Sequence, residues 1–448
     1  MRNAGRYITL IVLLLVCPSL ARGDEICFIP SMALKEEYNS NIMLVPEANG
    51  VIKDYITTLS PGFDLTDKTD RLDSLLSLRL DRLQYSKYDY LSATNQSYNG
   101  TVRYAATPLF TLSAGAGYTR IANLSLYTGS AYSPSVGTVS SGGNSSPPPV
   151  PVTSPPTAGN SNSGGVIIAS PALPLVALPV QSTTASMSTG YQLTEKTSLL
   201  SQYQYVGSSY QQPYYRATSY DVQAGLTTDF SEYLPRVKGL LNTEYSQYLL
   251  PDSRTINVAG SIGFSYAVSE TWSVLAQGGI RRTESEQFLN TWVPNGNPGS
   301  STLVRERLNN IAWGQVGNLS LNYQGEYMDA HLMYTKDLTL ASGLQSATDE
   351  NDLQIAATYK ISYELSVSLS AEYTTYQSPE QNAAVVVNQR DISISPVIRY
   401  DFSRDLALEA TYQQIRIDYH TENTEANRQS YFLRLTARFP YCSSSQYK

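Results

Sequence analysis

The chain has 448 residues, among them 35 Tyr against 9 Phe and 2 His, with a formal net charge of −7 at pH 7. The acidic balance excludes general nucleic-acid binding, which needs a basic face, and three cysteines are too few for a disulfide-dense scaffold. Beyond the N-terminus no apolar run reaches the ~20 residues of a spanning helix. Membrane-crossing strands escape that test, because alternating lipid-facing and lumen-facing residues keep mean hydropathy modest.

Residues 1–23 read as a secretory signal peptide: Arg2 and Arg6 lead into the apolar run Ile8 to Val16, and Ser19-Leu20-Ala21 and Ala21-Arg22-Gly23 offer small residues at cleavage spacing. The run is too short to span a bilayer, and Val16 is a poor neighbour for a lipidated Cys17. Removing Arg2, Arg6 and Arg22 from 31 basic residues leaves 28 against 38 acidic, a balance of −10. Cys27 and Cys442 then remain.

Period-two alternation dominates after residue 30. In Leu72 to Leu80 the even positions are mostly leucine, and Asp73, Ser77 and Arg79 hold odd ones. From Ile256 to Tyr266 one face carries Ile256, Val258, Gly260, Ile262, Phe264 and Tyr266, and the other Asn257, Ala259, Ser261, Gly263 and Ser265. In Leu406 to Tyr412 the apolar set opposes Glu409, Thr411 and Gln413. Such faces suit lipid on one side and water on the other.

A spaced repeat punctuates the strands: Tyr, then Ser or Thr three residues on, a bulky residue after three more, and Leu or Val two beyond. It runs through Tyr104-Thr107-Phe110-Leu112, Tyr191-Thr194-Thr197-Leu199, Tyr266-Ser269-Trp272-Val274, Tyr359-Ser362-Leu365-Val367 and Tyr400-Ser403-Leu406-Leu408. Each copy reads as strand end, short turn and strand start, with the hydroxyl bonding the turn backbone. Tyr104, Tyr191, Tyr266, Trp272, Tyr359 and Tyr400 are expected at one membrane interface. A repeated hairpin in a soluble sheet is the alternative.

Longer polar connections separate these turns: Lys87 to Asn95, Phe288 to Val304, Ala341 to Glu350, Ser378 to Asn388 and Thr421 to Asn427. Short turns on one side and long loops on the other characterise outer-membrane barrels. The predicted fold is an all-β, transmembrane, antiparallel up-and-down barrel over 24–439. About eighteen strands are expected, within a range of 16–20. The Ser/Gly/Pro-rich segment 128–181 is expected as one external loop, because five strands before it and thirteen after close only together. From Tyr431 to Phe439 a final alternating strand ends in an aromatic, a candidate signal for the outer-membrane assembly machinery; 440–448 is expected as a tail. Closure brings both chain ends to the periplasmic side, where Cys27 and Cys442 are candidates for a disulfide.

The N-terminal stretches Tyr38-Asn39-Ser40-Asn41-Ile42-Met43-Leu44, Asp54-Tyr55-Ile56-Thr57-Thr58 and Leu59-Ser60-Pro61-Gly62 resemble the β-barrel porin 2 family, whose members are often linked to exopolysaccharide loci. Ser40 and Met43 depart from the family's commonest residues. The resemblance implies an outer-membrane barrel with a part in glycan export or passage, and polysaccharide export components as partners. It supplies no catalytic residues.

No cofactor or metal site is expected: His331 and His420 are the two histidines, and no His, Cys and carboxylate cluster has ligand spacing. Asp329 beside His331 and Asp418 near His420 are weak grounds for an enzyme. Alternation turns Arg79, Asp81, Arg103, Glu372, Arg399, Asp401, Glu409, Arg434 and Arg438 inward, either selecting solutes or pairing with one another. The expected function is passage or export of a hydrophilic solute through the outer membrane of a Gram-negative bacterium, with exopolysaccharide one candidate. The alternative is a plugged barrel serving an envelope complex, and an outer-membrane hydrolase comes third. The expected surroundings are the lipid bilayer and lipopolysaccharide.

Overall fold

The structure, a computed structural model, describes residues 25–121, 180–210, 216–251, 253–294, 301–339, 348–377, 388–420 and 423–444. The expected signal peptide and all of 128–181 except Val180 and Gln181 lie outside the described residues. Five strands come first: β1 (Glu25–Asn39), β2 (Asp54–Lys68), β3 (Leu72–Tyr85), β4 (Ala93–Thr107) and β5 (Phe110–Ile121). Then follow β6 (Val180–Gln192), β7 (Thr197–Tyr210), β8 (Arg216–Asp229), β9 (Val237–Leu250), β10 (Ser253–Ala267) and β11 (Trp272–Pro294). The ring continues with β12 (Ser301–Gln324), β13 (Met328–Thr339), β14 (Thr348–Lys360), β15 (Leu365–Gln377), β16 (Asn388–Asp401), β17 (Leu406–Tyr419) and β18 (Thr424–Arg438). Each strand pairs antiparallel with its sequence neighbours, β5 pairs directly with β6, and β1 pairs with β18. The fold is a closed, antiparallel, eighteen-stranded barrel.

Several boundaries differ from expectation: Ala93–Asn95, Thr348–Glu350, Asn388 and Thr424–Asn427, read as loop, belong to β4, β14, β16 and β18, while 341–347, 378–387 and 421–422 lie outside the described residues. Val180 and Gln181, assigned to the Ser/Gly/Pro-rich loop, begin β6. Phe288–Pro294 and Ser301–Val304, read as loop, belong to β11 and β12, which pair with each other as far as Pro294↔Ser301. Two strands without period-two alternation remain a ladder when each supplies the other's backbone partners. The tail also orders in part: Tyr441–Ser444 forms a short β19 against the start of β1. Pro440 has no N–H to donate and separates it from β18. Cys27 and Cys442 are direct partners in this register, and their sulfurs are joined.

The short turns share one construction. In four of the five repeats the hydroxyl accepts the amide three residues on: Thr197 N to Thr194 Oγ1 and Trp272 N to Ser269 Oγ at 3.0 Å, Leu365 N to Ser362 Oγ and Leu406 N to Ser403 Oγ at 3.1 Å. The amide two residues on also points at it, at 3.2–3.3 Å. The fifth, after Thr107, is tighter, with Leu109 N bonding Thr107 Oγ1 at 3.3 Å. Thr69 builds the same turn between β2 and β3, with Leu72 N at 3.0 Å. It lacks the preceding tyrosine, since Thr66 stands there. All these turns lie on the rim that holds both chain ends.

The Ser60-Pro61-Gly62 motif has a local cause. Pro61 withholds an N–H, and pairing with β3 skips from Leu59↔Arg82 to Gly62↔Arg79 while pairing with β1 continues through Met32↔Pro61. A Cβ on Gly62 would stand 2.8 Å from the Leu78 carbonyl oxygen. Glycine lets the two backbones approach.

Candidate permeation pathway

The two faces of the wall differ in chemistry. Outward lie Met32, Leu34, Ile262, Phe264, Ile280, Trp313, Leu319, Ile355 and Leu433, each 41–71% exposed. Tyr104, Tyr191, Tyr266, Trp272, Tyr359 and Tyr400 also face outward, near the terminal rim, at 38–53%. Toward the other rim a tyrosine ladder crosses the closing seam: Tyr412, Tyr431, Tyr38 and Tyr55 are successive cross-strand partners, with ring centroids 4.9, 6.5 and 5.2 Å apart. Along β18, Tyr431 and the exposed Phe439 are eight residues apart, or ~27 Å of extended chain. Strand tilt shortens that to roughly the height of the apolar band of a membrane barrel.

The inward face falls into three sectors. On β5, β6 and β7 it is neutral: Thr111, Ser113, Thr119, Ser186, Gln202 and Gln204 carry hydroxyls and amides. From β16 round to β3 it is charged and internally paired. Arg79 Nε donates to Asp81 at 2.9 Å, and Lys35 meets Glu37 at 2.5 Å. Arg399 holds Asp401 at 2.8 Å and Glu409 at 3.0 Å, and Arg434 approaches Glu409 at 3.7 Å. From β8 to β16, in the half away from the termini, the wall is acidic.

One loop narrows that half. Residues 40–53 connect β1 to β2 and fold against the inner wall. Ile42 packs with Ile56, Leu83, Tyr85 and Leu91. Leu44 packs with Ile415, Ile417 and Ala426 of β17 and β18. Asn41, 1% exposed, secures the loop: its Nδ2 donates to Val45 O at 2.8 Å and Asn427 O at 3.0 Å, and its Oδ1 accepts Val45 N at 3.2 Å. Ser40 and Gln429 exchange two further bonds, at 2.9 and 2.8 Å. Leu44 is held at φ 48°, a left-handed conformation unusual for a bulky residue. Asp54, also 1% exposed, accepts the amides of Lys87 and Tyr88 at 2.9 and 3.1 Å and ties the next loop to the same rim.

No family model matches the chain, and no curated protein matches it. Among solved structures it is similar to OccAB4 of Acinetobacter baumannii (10% identity, 94% of this chain and 99% of that one, TM-score 0.45). It is also similar to the siderophore receptor PirA of Pseudomonas aeruginosa (11%, 92% and 80%, 0.42) and to OpdL of the same organism (11%, 94% and 99%, 0.38). At TM-scores under 0.5 these likenesses assign neither family nor solute.

The inward charges read from alternation divide between sectors. Arg79, Asp81, Arg399, Asp401, Glu409 and Arg434 meet as ion pairs, the structural rather than the selective role. Arg103 stands opposite Asp73, and Arg438 bonds the turn through its backbone N, donating to Asp405 O at 2.8 Å. Glu372 belongs to the acidic sector. Of the weak catalytic pairs, Asp329 faces Lys360 at 3.8 Å while His331 bonds Asn322, and the Asp418 carboxylate holds Arg416 at 2.8 Å while its backbone O lies 3.3 Å from His420 Nδ1. Among the described residues no group of His, Cys, Asp and Glu could hold a metal. Sequence reasoning overlooked most of the acidic wall, although parity with outward neighbours such as Val222 and Tyr245 places Asp221 and Glu244 inside.

Proposed function

We propose that the protein is a channel of the outer membrane of a Gram-negative bacterium that passes a hydrophilic solute. One observation carries the reading: a closed eighteen-stranded ring with an apolar, aromatic-bounded outer face and a polar inner one. A ring of that size leaves an aqueous lumen. The finer proposal, a carbohydrate or exopolysaccharide as solute, is supported by the hydroxyl- and amide-rich wall of β5 to β7. The second reading, a plugged barrel serving an envelope complex, is favoured by the loop at 40–53 lying on the inner wall. Liposome swelling separates them. Vesicles carrying the protein are expected to swell in small neutral sugars, with rates falling as the sugar grows. Vesicles that do not swell in the smallest sugar favour the plugged reading.

A further inference from the structure

Resting on the passage reading, we propose that the lumen selects cationic solutes, small cations and amine-bearing molecules, with the acidic wall of β8 to β16 as the filter. Two constellations make up this wall. Tyr248 sits among Asp221, Glu244 and Asp337. Tyr376 sits among Glu350, Asp352, Glu372 and Asp391. All project inward by alternation with exposed neighbours such as Val222, Tyr245, Tyr334, Ile355 and Tyr373.

Among the described residues, this half-sector sets one inward basic side chain against them, Arg281, and its charge is spent within the wall. Above Gly317↔Lys336, β12 no longer pairs with β13. The Arg281 guanidinium crosses that gap over Gly314, where a Cβ would stand 2.6 Å from Arg281 Nε, to reach Asp337 at 3.8 Å and Asp349.

The constellations also leave polar atoms for a lumen occupant. Ser246 Oγ contacts Asp221 Oδ2 at 2.8 Å and Glu244 Oε1 at 2.6 Å, while Asp221 Oδ1 has no hydrogen-bond partner. Thr348, two residues before Glu350 on the same face, is 0% exposed with Oγ1 unpartnered.

Rings of carboxylates favour cations, and low-dielectric walls focus the field. Tyrosine faces add attraction for ammonium groups. Salt confines such a field to about 8 Å at physiological strength, so the filter acts only where the lumen is narrow. The loop at 40–53 narrows that same half, packed on the inner wall of β2, β3, β17 and β18. The other two sectors, one neutral and one internally paired, do not cancel the charge.

The reversal potential of the channel in a planar bilayer under a potassium chloride gradient tests the proposal. Wild type is expected to prefer potassium over chloride several-fold, and a variant carrying Asp221→Asn, Glu244→Gln, Glu372→Gln and Asp391→Asn is expected to lose that preference. Chloride preference, or none, in the conducting wild type overturns the inference and leaves passage standing. A variant that keeps the preference overturns this wall as the filter. A folded protein that carries no current overturns passage, and the filter with it. Spermine block of the wild-type current tests the same point without any substitution: block is expected, and its absence counts against the proposal.

Discussion

Asn41 has no charge and sits in a short connection, yet its side chain joins both ends of the barrel's sequence, bonding Val45 within the loop and Asn427 at the start of β18. A neutral hydrogen bond contributes about 1 kcal/mol net, and burial raises the cost of stranding its partners. Asn41→Ala is therefore expected to destabilise the barrel by roughly 2–3 kcal/mol and to release the loop at 40–53. The urea midpoint of the protein folded into vesicles and protease cleavage within 40–53 measure the two effects. An unchanged midpoint with an uncut loop would contradict the role given to Asn41. The motif around Asn41 was legible in the sequence, but its role was not, because one partner lies 386 residues away. The turn hydroxyls were legible for the opposite reason. Thr194, Ser269, Ser362 and Ser403 bond amides two and three residues on, so the whole interaction lies inside a short window.

At the scale of the element, alternation fixes which residues meet lipid. Ile262 is 71% exposed on the outer face of β10, and Ser261 beside it faces the lumen. Arginine on the lipid face near mid-membrane costs about 2–4 kcal/mol, while lumen positions tolerate it. Ile262→Arg is expected to lose roughly that much stability in vesicles, and Ser261→Arg much less. Equal losses, or the reverse order, would show that the faces have been exchanged. Alternation along β10 was readable because its apolar set is unbroken from Ile256 to Tyr266 except for Gly260. The extended ends of β11 and β12 were not readable. Phe288–Pro294 and Ser301–Val304 lack period-two alternation and flank an Asn/Gly/Pro run, and their strand character comes from pairing with each other. The same applies to β19, four residues that order only because β1 offers them an edge.

At the scale of the molecule, closure depends on the pairing of β1 with β18 and β19, which also sets Cys27 opposite Cys442. Closure and a strand number within 16–20 were legible from the alternation of short and long connections, since the strands before and after the Ser/Gly/Pro-rich segment make an even ring only together. The sorting of charge into neutral, paired and acidic sectors was only half legible. Parity tells which side a carboxylate faces, but Arg399 meeting Glu409, or Arg281 reaching Asp337 across Gly314, depends on neighbours brought together by the ring. We propose that this ring encloses a water-filled path across a membrane. Single-channel recording of the purified protein, with heat-modifiable migration on gels as proof of folding, tests it most directly. Discrete, long-lived open steps are the predicted result; electrical silence from heat-modifiable, membrane-inserted protein would contradict it.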